Sequence, residues 1–210
     1  VEGLFAIEEG ARAEGHLLIA GVDEVGRGCL AGPVYAGAVV FDRRMTLPGL
    51  DDSKALLPEV RRALASRICA EARGAEVGAA TAAEIDAIGI VAATLLAMRR
   101  ALELLSRSGL APSLVLVDAV RVPGIEVVQR AYIRGDGRVA AIAAASIVAK
   151  VARDARMEEL ETRFPVYGFG SHRGYATPGH LSALRRHGPC PEHRLTFDRV
   201  LARRGAAKAA

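Results

Sequence analysis

Four carboxylates stand where the chain is expected to end a strand or turn. Asp23 and Glu24 close one apolar run, Asp118 closes another, and Asp136 sits inside Gly135-Asp136-Gly137. Carboxylate oxygens are hard ligands that suit Mg²⁺ or Mn²⁺ and select poorly for zinc. In an open α/β sheet, ligands gather beyond the carboxyl ends of the strands, where Asp118 is expected. Adjacent strand residues point to opposite faces, so Asp23 and Glu24 cannot both aim inward from a regular strand. Either the strand ends or bends at Gly26-Arg27-Gly28, or Glu24 swings its longer arm round. Each acid also has a plainer reading, since an acid at a strand end is commonly a solvated loop residue and Asp-Gly is a good turn signal. Asp118, after four apolar residues, fits that reading least. Glu84, Asp86, Glu158 and Glu159 fall in helical stretches and read as capping or surface charges. His172, His180, His187 and His193 lack metal-site spacing, and Cys190 with His193 is half a zinc motif without its second half.

The elements that must position these acids follow from the apolar pattern. Residues 17–23 and 34–41 read as short strands close enough to pair antiparallel. Pro58 opens a helix that turns Val60, Leu64 and Ile68 to one face. Residues 76–80 form a weak third strand. Thr81 and Glu84 make a capping box, behind which Ile88, Val91, Leu95, Met98, Leu102 and Leu105 keep a helical rhythm until Gly109. Met98 reads as core filler. Residues 114–117 are a central strand covered on both faces, 126–133 a fifth strand, and 140–160 an Ala-rich helix. An aromatic-glycine loop over 167–175 precedes a short helix capped by Thr177 with Pro178 in its first turn. The fold class is therefore α/β, a mixed five-stranded sheet flanked by helices.

The chain has 210 residues, 51% hydrophobic and 25% charged, which is globular composition. It shows no apolar stretch long enough for a membrane span and no signal-peptide pattern. Three scattered cysteines argue against a disulfide framework and for a reducing, cytoplasmic setting. The net charge of +4 permits a polyanionic partner without demanding one. Basic residues thicken towards the end, through Arg185, Arg186, Arg194, Arg199, Arg203 and Arg204.

The run Asp23-Glu24-Val25-Gly26-Arg27-Gly28, with Ala31-Gly32-Pro33 behind it, resembles ribonuclease HII, the bacterial type 2 RNase H family. The resemblance continues in order through Asp51-Asp52-Ser53-Lys54, Val117-Asp118, Gly135-Asp136, the stretch from Ile142 to Val151, Arg153-Asp154, Gly174-Tyr175 and His193-Arg194-Leu195-Thr196-Phe197. It spans roughly residues 17–200. It implies an RNase H-like core over 17–163 after a lead-in over 1–16, a C-terminal loop and helical extension over 164–204, and a frayed tail over 205–210. It also implies hydrolysis of RNA paired to DNA and cutting 5′ of single ribonucleotides in duplex DNA. The products carry 3′-OH and 5′-phosphate ends, and the setting is ribonucleotide removal in replication and repair.

By the same resemblance Asp23, Glu24, Asp118 and Asp136 are the catalytic carboxylates. The Gly26-Arg27-Gly28 backbone and the Tyr175 ring recognise the ribonucleotide and its junction with DNA. The physical reason is clear. Two divalent cations ~4 Å apart can activate a water, hold the scissile phosphate and stabilise the leaving 3′ oxygen. Glycines let backbone approach a 2′-OH that both donates and accepts. Without metal the acids repel, which raises some of their pKa values and predicts a metal-free protein less stable than its Mg²⁺ form. Lys54, Ser146 and Lys150 are candidate phosphate contacts, although Lys150 and Asp154 are also spaced for a helical ion pair. The expected partners are RNA/DNA hybrid and ribonucleotide-containing duplex, with no membrane, and the expected state is a monomer.

Three residues depart from the family pattern: Cys29 where proline is common, Ala119 where glycine is usual, and Gly89 where Asn is frequent. A type 1 RNase H would explain neither Gly26-Arg27-Gly28 nor the tyrosine loop. Type 3 carries an extra N-terminal domain, for which the short lead-in is expected to leave no room. The reading from a different class is a non-catalytic nucleic-acid-binding module on the same fold, whose signature would be a missing carboxylate.

Overall fold

The computed structural model describes residues 3–42, 47–50 and 56–201, without the Leu201 side chain. Five strands form one mixed sheet: β1 (Ile19–Val25), β2 (Val34–Val40), β3 (Gly74–Ala80), β4 (Leu114–Asp118) and β5 (Val128–Tyr132), in the order β3-β2-β1-β4-β5. β1 pairs antiparallel with β2 and parallel with β4, and β5 extends the parallel side. Eight helices are described: α1 (Ala6–Ala13), α2 (Pro58–Glu71), α3 (Ala82–Ile88), α4 (Ile90–Arg107), α5 (Ala140–Arg163), α6 (Phe169–His172), α7 (Pro178–His187) and α8 (Asp198–Leu201). No helix among the described residues is long and apolar enough to cross a membrane.

Alternation along the strands divides the core in two. Ala20, Val22, Val115 and Val117 face α4, packing on Met98, Leu102 and Leu105. Ile19, Leu114 and Leu116 face the start of α5 at Ile142. The long Ala-rich helix α5 lies unusually close to the sheet because β1 and β2 turn glycines towards it. A Cβ on Gly21 would stand 2.1 Å from the Ala141 carbonyl carbon, and one on Gly37 2.3 Å from the Ala145 oxygen. α5 thereby carries Ser146 and Lys150 to the end of β1.

Several boundaries differ from expectation. β1 starts at Ile19, leaving Leu17 exposed, and runs on through Val25. The helical rhythm from Ile88 is broken at Gly89, whose φ of 80° and ψ of 155° no side chain tolerates well, so α3 and α4 are separate helices. Ile88 and Val91, at that break, are exposed while Met98, Leu102 and Leu105 are buried as expected. Val60 is also exposed, so α2 buries only Leu64, Ala65 and Ile68. The capping box at Thr81 and Glu84 forms, and Glu84 further pairs with Arg100 at 2.7 Å. Asp86 does more than cap: it accepts from the Leu195 and Thr196 N–H groups, both at 2.9 Å, tying α3 to the C-terminal segment.

Candidate active site

β1 stays paired with β2 as far as Val25↔Tyr35, but its pairing with β4 stops at Val22↔Val117. The two parallel strands therefore part at the level of Asp23 and Asp118. Both acids belong to the alternating set that faces α5, one from each strand. Glu24 belongs to the opposite face, yet ligand oxygens of Asp23, Glu24 and Asp118 all lie within 4.8 Å of one another. Of the two options, the longer Glu24 arm reaching round is the one observed.

Asp23 is almost wholly buried and accepts the Glu24 N–H at 2.8 Å, with the Ser146 hydroxyl favouring its charged form. Burial pushes its carboxyl up to about 7, with Glu24 and Asp118 adding to the rise and the Ser146 hydroxyl opposing it. Repulsion between the acids is thus present but second to desolvation. Asp118 Oδ1 accepts the Gly135 N–H at 2.7 Å, which fixes the turn carrying Asp136. Asp136, half-buried on that turn, lies outside the convergent trio but lines the same cleft. The cleft, about 650 Å³, is lined by all four acids together with Ser146, Lys150 and Tyr175. Among the described residues no basic side chain pairs with Asp23. An oxygen-only donor set with one buried acid that favours its proton fits a hard divalent cation, which would take the proton's place.

The remaining expected residues divide. Lys150 lines the cleft and forms the helical ion pair with Asp154 that its spacing suggested. Lys54 lies outside the described residues. Arg27 is exposed and bonds Glu24 at 3.2 Å. Gly26 and Arg27 do not line the acid cleft, and Gly28 opens onto a neighbouring groove with Gly89, Ala176 and Arg199. Gly26 has φ 92°, and a Cβ there would meet Arg153 Nε at 2.1 Å. Cys29 donates its N–H to the Gly26 carbonyl at 3.4 Å, a bond that proline could not make. Ala119 has φ 62°, the left-handed region where glycine is at ease.

Two buried arginines hold the glycine loop against the C-terminal extension. Arg153 donates to the carbonyls of Pro33, Ala31 and Arg173 at 3.1, 3.2 and 2.9 Å. Arg194 donates to Gly32, from Nε at 3.0 Å and Nη2 at 2.8 Å, and to Arg27 at 2.8 Å. Sequence reasoning quoted both within motifs but gave neither a role, because nothing in a sequence marks an arginine as buried. It also missed Arg61 and Arg134, which line the acid cleft. Arg134 stands directly before Gly135-Asp136, and that adjacency was its only signal.

Known proteins resemble this chain over most of its length. The family model described as Ribonuclease HII matches residues 20–200. A Ribonuclease HII from Polaromonas sp. is 52% identical over 183 residues, covering 87% of this chain and 90% of its own. Among solved structures, the RNase HII of Archaeoglobus fulgidus, determined in a PCNA complex, is 28% identical with a TM-score of 0.72, covering 86% of this chain and 95% of that one. The ribonuclease H2 of Pyrococcus horikoshii is 26% identical with a TM-score of 0.66, covering 87% and 95%.

Proposed function

The chain belongs to the ribonuclease HII family, a metal-dependent type 2 RNase H endoribonuclease, and from that premise we propose that it cuts on the 5′ side of ribonucleotides embedded in duplex DNA as well as within RNA/DNA hybrids. Asp23, Glu24, Asp118 and Asp136 would hold two divalent cations, Mg²⁺ or Mn²⁺. Bound there, the cations would acidify the attacking water, grip the scissile phosphate and offset charge on the leaving 3′ oxygen, giving 3′-OH and 5′-phosphate ends. The observation that carries this reading is the convergence of Asp23, Glu24 and Asp118 within 4.8 Å at the parted ends of β1 and β4.

The chain's own residues do the positioning. The Gly135 N–H fixes which Asp118 oxygen faces the cleft. The Glu24 N–H orients Asp23, and the Ser146 hydroxyl beside it favours its charged form. Tyr175 stands at the cleft edge with its side chain half exposed. An exposed ring there can stack on the sugar or base beside the junction. The Gly26–Gly28 backbone, whose Gly28 lines the adjoining groove, is the candidate reader of the 2′-OH. Lys150 offers a cation for the phosphate backbone.

The test is a labelled duplex carrying one ribonucleotide, incubated with Mg²⁺ or Mn²⁺, with Asp118→Asn as control. A metal-dependent 5′ cut lost in Asp118→Asn is expected. Cleavage of long hybrid alone would keep the metal site and overturn the junction reading at Gly26–Gly28 and Tyr175. Binding without cleavage of either substrate would leave a non-catalytic module.

A further inference from the structure

The C-terminal extension gathers three histidines, two of them buried, that no part of the cleavage chemistry uses. His180 and His193 are fully buried, and His172 stacks on His180 with ring centroids 4.3 Å apart. Their ring nitrogens are all engaged, and the partners dictate where each proton sits. His180 Nδ1 lies 2.8 Å from the Tyr175 carbonyl oxygen, which can only accept, so Nδ1 carries the proton. A neutral His180 then accepts at Nε2, 3.0 Å from His193 Nε2, so His193 donates from Nε2. His193 Nδ1 must accept, and the Cys190 N–H donates to it at 3.0 Å. His172 is fixed in the same way. Its Nδ1 accepts the Gly174 N–H at 3.2 Å and its Nε2 donates to the Tyr167 carbonyl at 2.8 Å. A proton added to His180 or His193 would set N–H against N–H somewhere in the chain.

Two of these bonds end on Gly174 and Tyr175: the Gly174 N–H donates to His172 and the Tyr175 carbonyl accepts from His180. The Tyr175 N–H donates to the His172 carbonyl and its own carbonyl also accepts the Thr177 N–H. The Gly174 carbonyl accepts the Leu30 N–H at 2.8 Å, joining the same two residues to the glycine loop. Each backbone polar atom of Gly174 and Tyr175 is thus engaged, while the Tyr175 side chain is left half exposed at the cleft.

We propose that His180 and His193 are positioning residues for Tyr175: a one-way chain, from the Cys190 N–H through His193 and His180 to the Tyr175 carbonyl, holds the ring where it discriminates a ribonucleotide–DNA junction. This rests on the junction reading of Tyr175 above. The chain acts through backbone placement, so its loss lowers preference for the junction substrate while leaving cleavage of long hybrid in place.

Two measurements test it. Ring-nitrogen NMR correlations on the full-length protein near neutral pH are expected to show His180 protonated at Nδ1, with His172 and His193 protonated at Nε2. His180 protonated at Nε2, or charged, overturns the chain. The second measurement is the ratio of kcat/KM on a single-ribonucleotide duplex to that on a long hybrid. In His180→Phe the ratio is expected to fall about tenfold, comparable to the stacking of one base. In His180→Asn, whose amide nitrogen can stand where Nδ1 does, most of it is recovered. Adding His180→Phe to Tyr175→Ala should lower the ratio no further. If Tyr175→Ala leaves the ratio unchanged, the junction reading itself fails. If Tyr175→Ala lowers the ratio but His180→Phe lowers both substrates equally, or neither, the positioning inference fails alone.

Discussion

At the carboxyl end of the sheet the protein buries an acid among acids, whereas in the C-terminal extension it buries bases against neutral backbone. Asp23, pushed up to about 7, has Glu24 and Asp118 as its neighbours. His193 is pushed down to about 4 and Arg194 down to about 10, both chiefly by burial. Yet the polar atoms of His193 meet the His180 ring and the Cys190 N–H and sulfur, and those of Arg194 end on carbonyl oxygens. The first region is electrostatically incomplete and favours a cation. The second has its buried polar atoms paired internally, and its buried bases call for no counter-ion. That difference separates chemistry from positioning: removing a group from the first should cost turnover, and removing one from the second should cost stability or selectivity.

The sharpest break is Asp118→Asn. Loss of an acid from a metal-dependent site is expected to lower cleavage by about a thousandfold or more, the scale of a lost electrostatic catalytic group. Circular dichroism and thermal unfolding should show an intact, no less stable fold, since the charge removed was raising Asp23. Residual turnover within about tenfold of wild type would remove Asp118 from the chemistry.

Arg194→Met is the counterpart in the extension. It leaves the buried Gly32 carbonyl and the part-buried Arg27 carbonyl without their guanidinium, and each charged hydrogen bond lost contributes about 1.5–3 kcal/mol. A loss of about 4 kcal/mol in urea unfolding is expected. Unchanged stability would show that the extension is not braced as its bonds suggest.

The two regions were also unequally legible in the sequence. Asp118 could be read because four apolar residues precede it, and Asp23-Glu24 because a glycine motif follows. The five strands and the helices α2, α4, α5 and α7 were legible from apolar spacing and caps, whereas α1, α6 and α8 lay in stretches read as lead-in, loop or extension. Gly89 was not read as a helix break, since the rhythm from Ile88 to Leu105 runs through it unbroken in composition. The histidines were judged by metal-ligand spacing along the chain and found wanting. They meet only because α7 (Pro178–His187) folds back on the 190–193 turn, a contact that no local spacing encodes. Buried Arg153 and Arg194 were illegible for a related reason: their partners are main-chain carbonyls, which every residue has.

A subtler separation comes from pH, in EDTA. Between 3.8 and about 7 folded Asp23 keeps a proton that the unfolded chain has released, so this group lowers stability as pH rises through that window. Between 6.5 and about 4 the unfolded chain takes up a proton that folded His193 refuses, so this group lowers stability as pH falls. The two limbs oppose each other, each at no more than about 1.4 kcal/mol per pH unit. Urea unfolding from pH 4.5 to 6.5 should therefore be flatter in wild type than in Asp23→Asn, where stability rises with pH. Saturating Mg²⁺ should reproduce the Asp23→Asn slope by displacing the same proton, and should raise Tm above that in EDTA. Identical slopes with and without Mg²⁺ would deny the cation that site.

The smallest effect concerns backbone strain, which both regions carry. Ala119 beside Asp118 and Arg173 before Gly174 both have positive φ, 62° and 52°. A left-handed L-residue costs roughly 1–2 kcal/mol, while glycine loses about 0.5–1 kcal/mol more entropy on folding. Ala119 is exposed, so Ala119→Gly relieves strain and sacrifices only a solvated methyl, for a net gain of about 0.5 kcal/mol. Arg173 donates to Glu158 at 2.7 Å, and glycine would forfeit that ion pair, worth about 0.5 kcal/mol when partly exposed. Arg173→Gly should therefore be neutral to destabilising although it relieves the same dihedral. Equal gains from both substitutions in urea unfolding would mean that the extension's side chains contribute less than its geometry indicates, and that strain alone sets stability at the two turns.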